Sequence, residues 1–154
     1  VFESIVKNSS HPKGIGLAMN YINPKIALDK QKLPDKPVVF DKPLSSLLYK
    51  PSKIDFDNVN GIKHEVELGI MISKKGKNIP KEKFKDYIGA YFLLIDFTYV
   101  TGGILDEAAP WMIRKGSDNF FVVGDYIAPE RIRDPHNIGL ELKINGFAVQ
   151  DGNT

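Results

Sequence analysis

The chain has 154 residues, 42% of them hydrophobic and 26% charged, a composition typical of one soluble globular domain. Its net charge of +2 comes from 21 basic and 19 acidic residues spread along the sequence. This distribution gives no basis for a nucleic-acid or membrane partner and favours a small ligand that is neutral or carries one anionic site. Cysteine is absent, which excludes disulfides, thiolate metal sites and cysteine nucleophiles.

No apolar stretch is long enough to cross a membrane, and the longest, residues 88–97, already contains Asp96. The chain begins with Val rather than Met, and no signal or transit pattern follows. We therefore expect a fragment or a processed product of a cytoplasmic protein, or of a mitochondrial one if the source is eukaryotic.

The first part of the chain carries short elements broken by turn-forming residues. Residues 1–13 predict a loosely held terminus, and 14–21 predict a short buried strand because apolar and small residues alternate there. Pro24 interrupts any helix beyond this strand, so the weakly helical stretch 25–32 is expected to form a surface flap. Residues 38–40 then predict another short strand.

Residues 63–72 form the stretch around which the sequence is organised, because acidic and aliphatic residues alternate there with the period of a β-strand. One face carries aliphatic residues and the other carries two glutamates: Val66, Leu68, Ile70 and Ile72 against Glu65, Glu67, Gly69 and Met71. The aliphatic face predicts contact with a core. The two carboxylates repel each other, which favours a cation between them. A solvated sheet face with salt-bridged glutamates explains the same pattern.

Residues 80–87 predict a short helix with proline in its first turn, and 88–95 form an apolar run that predicts a strand buried on both faces. The run ends at Asp96, which either caps a following turn or supplies a ligand, and the pattern alone favours the cap. Lys115 stands among aromatic and aliphatic residues in 111–121. The ordinary interpretation of such a lysine is a side chain that extends to the surface.

The last part of the chain predicts extended structure at 122–127, followed by a hairpin with strands at 138–144 and 147–150. Between these strands lies Asn145-Gly146, the strongest two-residue turn signal. The sequence contains no internal repeat, low-complexity tract or convincing linker. Residues 1–154 are therefore expected to form one domain or part of one.

Glu65, Glu67 and Asp96 offer three oxygen ligands without sulfur, a set that suits Mg²⁺, Mn²⁺ or Ca²⁺ rather than zinc. With Lys115 downstream, the sequence resembles the fumarylacetoacetate hydrolase family, in particular its small acylpyruvase and oxaloacetate decarboxylase-like branch. The resemblance spans 19–154 and rests on consecutive motifs in one order: Asn20-Tyr21, Lys42-Pro43, His64-Glu65-Val66-Glu67-Leu68-Gly69, Asp86-Tyr87-Ile88-Gly89-Ala90-Tyr91, Asp96-Phe97-Thr98, Pro110-Trp111, Lys115-Gly116, Asp134-Pro135-His136 and Asn145-Gly146.

The resemblance implies an α+β fold, mainly β with short helices, arranged as a mixed β-sandwich roll that is incomplete at its C-terminus. The open sheet edge left there predicts self-association. The family further implies a homodimer that holds Mg²⁺ or Mn²⁺ on Glu65, Glu67 and Asp96, with Lys115 at the active-site lysine. Its members bind short 2-keto or 1,3-diketo acids and stabilise the enolate left when a C–C bond breaks, in hydrolysis, decarboxylation or keto-enol exchange.

The sequence departs from the family at the flap and after the second carboxylate motif. Hydrolytic members carry a His and a Glu on the flap, and Pro24 and Ala27 stand in their places, where neither can take a proton. The segment 99–103, where the family grips substrate with an arginine and a glutamine, lacks both residues and is shortened. His64 is a poor substitute for the lost base because it adjoins Glu65 and should point to the opposite sheet face.

Three kinds of function remain open from these residues. The first is a divergent enzyme whose chemistry is metal-assisted enolate formation, such as oxaloacetate decarboxylation or tautomerisation, and the carboxylates together with Lys115 favour it. The second is a non-catalytic paralogue that binds metal or a partner subunit, which Pro24 and Ala27 favour. The third, a purely structural β domain, does not explain why three carboxylates and the lysine occur together.

Overall fold

The computed structural model describes residues 8–23, 25–27, 30–51, 53–56, 61–100 and 109–154. Its strands are β1 (Gly14–Ala18), β2 (Val38–Lys42), β3 (Leu47–Tyr49), β4 (Ile62–Ile72), β5 (Ile88–Tyr99), β6 (Phe121–Ile127), β7 (Gly139–Ile144) and β8 (Phe147–Asn153). The helices are short, namely α1 (Trp111–Lys115) and 3₁₀ turns at Leu44–Ser46, Lys81–Tyr87 and Pro129–Arg131. The prediction of a mainly β fold with short helices is confirmed. Within these ranges no helix has the length and apolar character needed to cross a membrane.

The strands form a four-stranded sheet and two separate pairs. In the four-stranded sheet the order is β3-β6-β5-β4, with β3 parallel to β6 and the other neighbours antiparallel, so the sheet is mixed. β1 pairs with β2 and β7 with β8, both in antiparallel fashion. The sequence patterns did not predict β3, because it has three residues and pairs with a strand that begins only at Phe121.

The core lies on both faces of the four-stranded sheet. One cluster contains Ala90, Phe92 and Val123, and the other contains Phe97, Phe120 and Val122. Because Val122 and Val123 are neighbours in β6, their side chains point to opposite faces and the strand contributes to both clusters. Apolar packing therefore stabilises the sheet on both faces. Polar side chains can be buried against the sheet only where this packing is interrupted.

β4 forms one edge of the four-stranded sheet, and its aliphatic face is covered at one end only. Val66 is 2% exposed, whereas Ile70 and Ile72 are 51% and 63% exposed. The expectation that this whole face contacts a core is therefore wrong for its second half. The reason is positional, since the buried cluster that includes Phe97 lies opposite the first half of the strand.

β5 is longer than the apolar run that predicted it. It continues to Tyr99, so Asp96 lies inside the strand and pairs with Glu65 of β4 and Phe121 of β6. The interpretation of Asp96 as a cap is wrong, because a central strand with partners on both sides continues through that residue. The expectation of burial on both faces also fails at Leu93, which is 50% exposed.

The hairpin of β7 and β8 turns at Asn145 and Gly146, as predicted. Their φ values are 52° and 84°, the left-handed conformation that a two-residue hairpin turn requires. The hairpin lies against the outer edge of β4, where the side chain of Gln150 hydrogen-bonds the main chain of Val66. This contact brings the C-terminal part of the chain beside the acidic strand.

Candidate functional site

The three carboxylates predicted as ligands come together through strand alternation and register. Glu65 and Glu67 lie two residues apart on β4, and Glu65 is directly opposite Asp96 on β5. Asp96 is buried, with 8% of it exposed. Alternation alone predicted that the two glutamates share a face, whereas the position of Asp96 depends on the pairing of two strands that are distant in sequence.

Lys115 joins these carboxylates from α1. Its Nζ donates to Glu65 Oε2 at 2.5 Å and to Asp96 Oδ2 at 2.7 Å, and it lies 5.2 Å from the centroid of the Phe40 ring. The residue is 8% exposed, so the interpretation as a lysine that extends to the surface is wrong. Burial lowers the pKa of Lys115, but Asp96 and Glu65 outweigh that effect and raise the pKa above its usual value. The ammonium group therefore stays charged.

The local sequence around Lys115 explains how such a short helix is held against the sheet. Pro110 precedes α1 in an extended conformation, and the Trp111 ring packs edge-on against Phe40 with 5.6 Å between centroids. At Gly116 the chain leaves the helix so closely that a Cβ would lie 2.3 Å from the carbonyl oxygen of Met112. Only glycine permits that approach, so the turn that fixes Lys115 depends on Gly116.

Glu65 is the most heavily bonded of the carboxylates. In addition to Lys115, Thr98 Oγ1 donates to its Oε2 at 2.9 Å and Lys63 Nζ donates to its Oε1 at 2.8 Å. Burial raises the pKa of Glu65, but the hydrogen bonds and charges of Lys115 and Lys63 lower it overall to about 2. Glu65 is therefore an anion at any physiological pH.

Glu67 has the opposite electrostatic environment. Burial raises its pKa, the neighbouring charges of Asp96 and Glu65 raise it further, and the value reaches about 7 although a hydrogen bond from Tyr21 opposes the shift. The Tyr21 hydroxyl also accepts a hydrogen bond from the N–H of Leu68 at 2.8 Å. Burial and the charge of Glu67 raise the pKa of Tyr21 in turn, which keeps its hydroxyl protonated.

Lys42 is a member of the site that the sequence did not identify. Its side chain is buried, and its Nζ donates to Asp96 Oδ1 at 2.8 Å, to the carbonyl oxygen of Phe120 at 2.9 Å and to the carbonyl oxygen of Lys115. Burial lowers the pKa of Lys42, and Asp96 opposes that shift. The alternation of side chains along β2 could have indicated that Lys42 is buried, because Lys42 shares the inward face with Phe40.

The donor chemistry of the site fits a hard divalent cation. The carboxylates of Glu65, Glu67 and Asp96 share one region with two buried ammonium groups, which leaves one negative charge without a buried counterion inside the cluster. Carboxylate oxygens are the ligands that Mg²⁺ and Mn²⁺ prefer. In the described ranges no group of three His, Cys, Asp or Glu side chains is arranged to hold a metal ion, and the Lys115 ammonium lies between Glu65 and Asp96.

A cavity of about 400 Å³ opens beside Glu65, between β4 and the β7–β8 hairpin. It is lined by Ile62, Lys63, His64, Glu65, Ile144, Val149 and Gln150. This volume lies in the range of cavities that hold small molecules. The cavity therefore offers space for a short ligand next to one carboxylate of the site, with an exposed lysine and apolar side chains in its walls.

Among the described residues, neither His64 nor Ala27 forms a hydrogen bond or ion pair with the carboxylates or with Lys115 in the contacts above. His64 packs against Phe97 with 5.2 Å between ring centroids, on the sheet face opposite Glu65, as predicted. Ala27 lies in an exposed stretch, and Pro24 is outside the described residues. Residues 101–108, which contain most of the shortened segment, are also outside them.

Comparison with known proteins identifies related chains. The family model described as fumarylacetoacetate (FAA) hydrolase C-terminal matches residues 13–154. A mitochondrial oxaloacetate decarboxylase of Dictyostelium discoideum is 34% identical over 147 residues, which cover 92% of this chain and 66% of that protein. A mitochondrial oxaloacetate tautomerase of Arabidopsis thaliana is 34% identical over 125 residues, which cover 79% of this chain and 56% of that protein.

A solved structure shares the fold. The crystal structure of fumarylpyruvate hydrolase from Pseudomonas aeruginosa in complex with Mn²⁺ and pyruvate matches with a TM-score of 0.68 and 19% identity. The match covers 95% of this chain and 67% of that one. The chain thus spans between about half and two thirds of the length of the proteins it matches.

Proposed function

Since the chain belongs to the fumarylacetoacetate hydrolase family, we propose that it acts on short 2-keto or 1,3-diketo acids with the help of a divalent metal ion. Oxaloacetate decarboxylation or tautomerisation is the reaction we favour. Two relatives that are 34% identical to the chain carry these activities in their names. We further propose that the working form is a homodimer.

The observation that carries the proposal is the contact of Glu65 and Asp96 with a buried, charged Lys115, with Glu67 near enough for their charges to shift its pKa. A cluster with one excess buried carboxylate is unfavourable unless a cation balances it, and the pKa of about 7 at Glu67 expresses that cost. Glu65, Glu67 and Asp96 would hold Mg²⁺ or Mn²⁺. The ion would supply Lewis-acid polarisation of the keto oxygen of the substrate. A fold relative solved with Mn²⁺ and pyruvate supports this choice of ion.

Lys115 supplies the second charge that the reaction needs. Cleavage of the C–C bond next to a keto group leaves its electron pair on the keto oxygen as an enolate. The Lys115 ammonium is held charged by Asp96 and Glu65, so it can donate a hydrogen bond to that oxygen as negative charge develops. Because the group is already oriented before substrate binds, little reorganisation is required.

The flap favours decarboxylation over hydrolysis. Hydrolysis of an acylpyruvate needs an activated water, whereas carbon dioxide leaves oxaloacetate without any nucleophile. Ala27, at one of the two positions where hydrolytic relatives were expected to carry a base, has no group that can take a proton. Loss of a general base typically lowers a rate by a factor of ~10² to 10⁴. Hydrolysis should therefore be the weaker activity.

The test is a side-by-side assay of oxaloacetate decarboxylation and acetylpyruvate hydrolysis with Mg²⁺ and with Mn²⁺. We expect decarboxylation above the background of free metal, loss of that activity in Lys115→Met, and little hydrolysis. Lys53→Met is the matched control, because Lys53 forms an exposed ion pair with Asp55 and does not line the cavity. Robust hydrolysis by the unmodified chain would contradict the argument from Ala27.

A non-catalytic, metal-binding paralogue is the second candidate, and Ala27 favours it as well. The same assay separates the two functions. If the folded chain binds metal but neither substrate is converted faster than by free metal, the paralogue is the better conclusion. If oxaloacetate is converted and Lys115→Met abolishes the conversion, the paralogue is excluded.

A further inference from the structure

Three separate segments of the chain converge on the ammonium group of Lys42. They are β5 through the Asp96 carboxylate, the end of α1 through the carbonyl of Lys115, and the residue before β6 through the carbonyl of Phe120. An ammonium group has three N–H donors, and each donor of Lys42 has one of these acceptors. One buried atom therefore connects the strand that carries an acid of the site to the helix that carries its lysine.

Asp96 divides its two oxygens between two lysines. Oδ1 accepts from Lys42 at 2.8 Å, and Oδ2 accepts from Lys115 at 2.7 Å. A carboxylate that is bonded at one oxygen cannot rotate freely, so the bond at Oδ1 determines where Oδ2 points. Lys42 also holds the main chain of Lys115, and thus restrains both partners of the Asp96–Lys115 contact.

We propose that Lys42 is a positioning residue of the site, which orients Asp96 Oδ2 and the Lys115 ammonium toward each other. The effect of Lys42 on catalysis rests on the proposed function, whereas its role in holding Asp96 and Lys115 in place does not. Lys42 is 3% exposed, so it acts through its neighbours rather than by contact with a substrate. No other described lysine joins the two residues in this way.

The shape of the site explains why a lysine is required at this position. A lysine ammonium is a compact charge with three donors in tetrahedral directions, whereas an arginine presents a planar fork. The carbonyl oxygens of Lys115 and Phe120 lie against the ammonium group. The Phe121 ring closes another side, with its centroid 5.7 Å from Nζ. The larger guanidinium group would have to displace these neighbours.

The experiment measures the chemical reactivity of Lys115 in folded protein. Amines are methylated with formaldehyde and a borane reductant, and the rate at Lys115 is followed by mass spectrometry in the unmodified chain, in Lys42→Met and in Lys50→Met. Lys50→Met is the matched control, because Lys50 is an exposed lysine in a surface ion pair with Asp125. Unfolding curves of each variant establish that it is folded under the labelling conditions.

We expect Lys42→Met to raise the methylation rate of Lys115 by about tenfold or more, since the release of Asp96 and of the local main chain lets the lysine leave its partners more often. Lys50→Met should leave the rate within about twofold of that in the unmodified chain. A folded Lys42→Met protein in which Lys115 reacts at the original rate would overturn the proposal, because Lys42 would then contribute only to stability.

A second measurement needs no variant and applies even if Lys42→Met does not fold. In chain labelled with ¹⁵N and ¹³C, the buried Lys42 ammonium should give a slowly exchanging NMR signal, with a scalar coupling across the hydrogen bond to the carboxyl carbon of Asp96. A folded chain with rapid exchange and no such coupling would contradict the proposal.

The test of the positioning role can fail or succeed independently of the test of the proposed function. Protected Lys115 in a chain without activity on any keto acid would refute the proposed function and leave the positioning role intact. In an active chain, Lys42→Met should lower kcat by about tenfold or more and change KM less, because a misplaced group affects the transition state more than substrate binding. A change confined to KM would contradict the positioning role.

Discussion

Gln150 pairs with the main chain of Val66 through both atoms of its side-chain amide. The N–H of Val66 donates to Oε1 at 2.7 Å, and Nε2 donates to the carbonyl oxygen of Val66 at 3.0 Å. A side chain thus takes the place of a neighbouring strand at this point of the edge of β4. It also attaches the β7–β8 hairpin beside the site.

Replacement of Gln150 should therefore destabilise the fold. Gln150→Leu leaves the N–H and C=O of Val66 without partners in a partly buried place, and we expect a loss of about 1–3 kcal/mol in the free energy of unfolding. The measurement is urea unfolding followed by circular dichroism. Lys143→Gln, an exposed change on the same hairpin, is the control and should stay within about 0.5 kcal/mol. If Gln150→Leu has the same free energy of unfolding as Lys143→Gln, the amide pair contributes nothing to stability.

Glu67 should make the stability of the metal-free chain fall as the pH rises from 4.5 to 7. Its pKa is about 7 in the folded chain against an ordinary value of 4.5, so the folded state binds the proton more tightly in this interval. The loss is on the order of 2–3 kcal/mol. Glu65 acts in the opposite sense at lower pH. Its pKa of about 2 contributes stability above 4.5 that is lost as the pH falls.

The test is thermal unfolding in EDTA across this pH range. Glu67→Gln should remove the decline between pH 4.5 and 7, whereas Glu141→Gln, on an exposed ion pair, should preserve it. A profile that keeps the full decline in Glu67→Gln would assign it to another group.

Sequence patterns predicted the parts of the site that depend on neighbouring residues. Alternation placed Glu65 and Glu67 on one face, and Asn145-Gly146 marked the hairpin turn. The contact between Lys42 and Asp96 joins residues 54 positions apart, and that between Glu65 and Lys115 joins residues 50 apart. No local period encodes such contacts, which depend on the order and register of the strands. For the same reason Lys42 and the parallel pairing of β3 were missed.

Lys63 should contribute to substrate binding more than to turnover. It lines the cavity beside Glu65, and its side chain is 61% exposed, so the ammonium group that bonds Glu65 Oε1 can also reach a carboxylate of the substrate at small cost. We expect Lys63→Met to raise the KM for oxaloacetate by about fivefold, in line with one exposed ion pair of up to about 1 kcal/mol, and to leave kcat within about twofold. Lys53→Met should change neither constant. A fall in kcat alone would give Lys63 a role in the chemical step.

The uncovered half of the β4 face should cause self-association. Ile70 and Ile72 are 51% and 63% exposed at the edge of a sheet, and Leu93 beside them is 50% exposed. Exposed apolar side chains on an open edge favour contact between chains. Sedimentation velocity should detect dimers or larger species, and Ile70→Lys with Ile72→Lys should shift the chain toward monomer. An unmodified chain that is strictly monomeric and unfolds cooperatively would contradict this expectation.

Binding of Mn²⁺ tests the central claim most directly, because it depends on the carboxylates and not on turnover. Calorimetry of the folded chain should detect one ion per chain, and Glu67→Gln should weaken its affinity by about tenfold or more, since one charged ligand is lost. Lys115→Met should still bind the ion. If the folded chain binds no Mn²⁺ or Mg²⁺, or if Glu67→Gln binds as well as the unmodified chain, Glu65, Glu67 and Asp96 do not form the metal site.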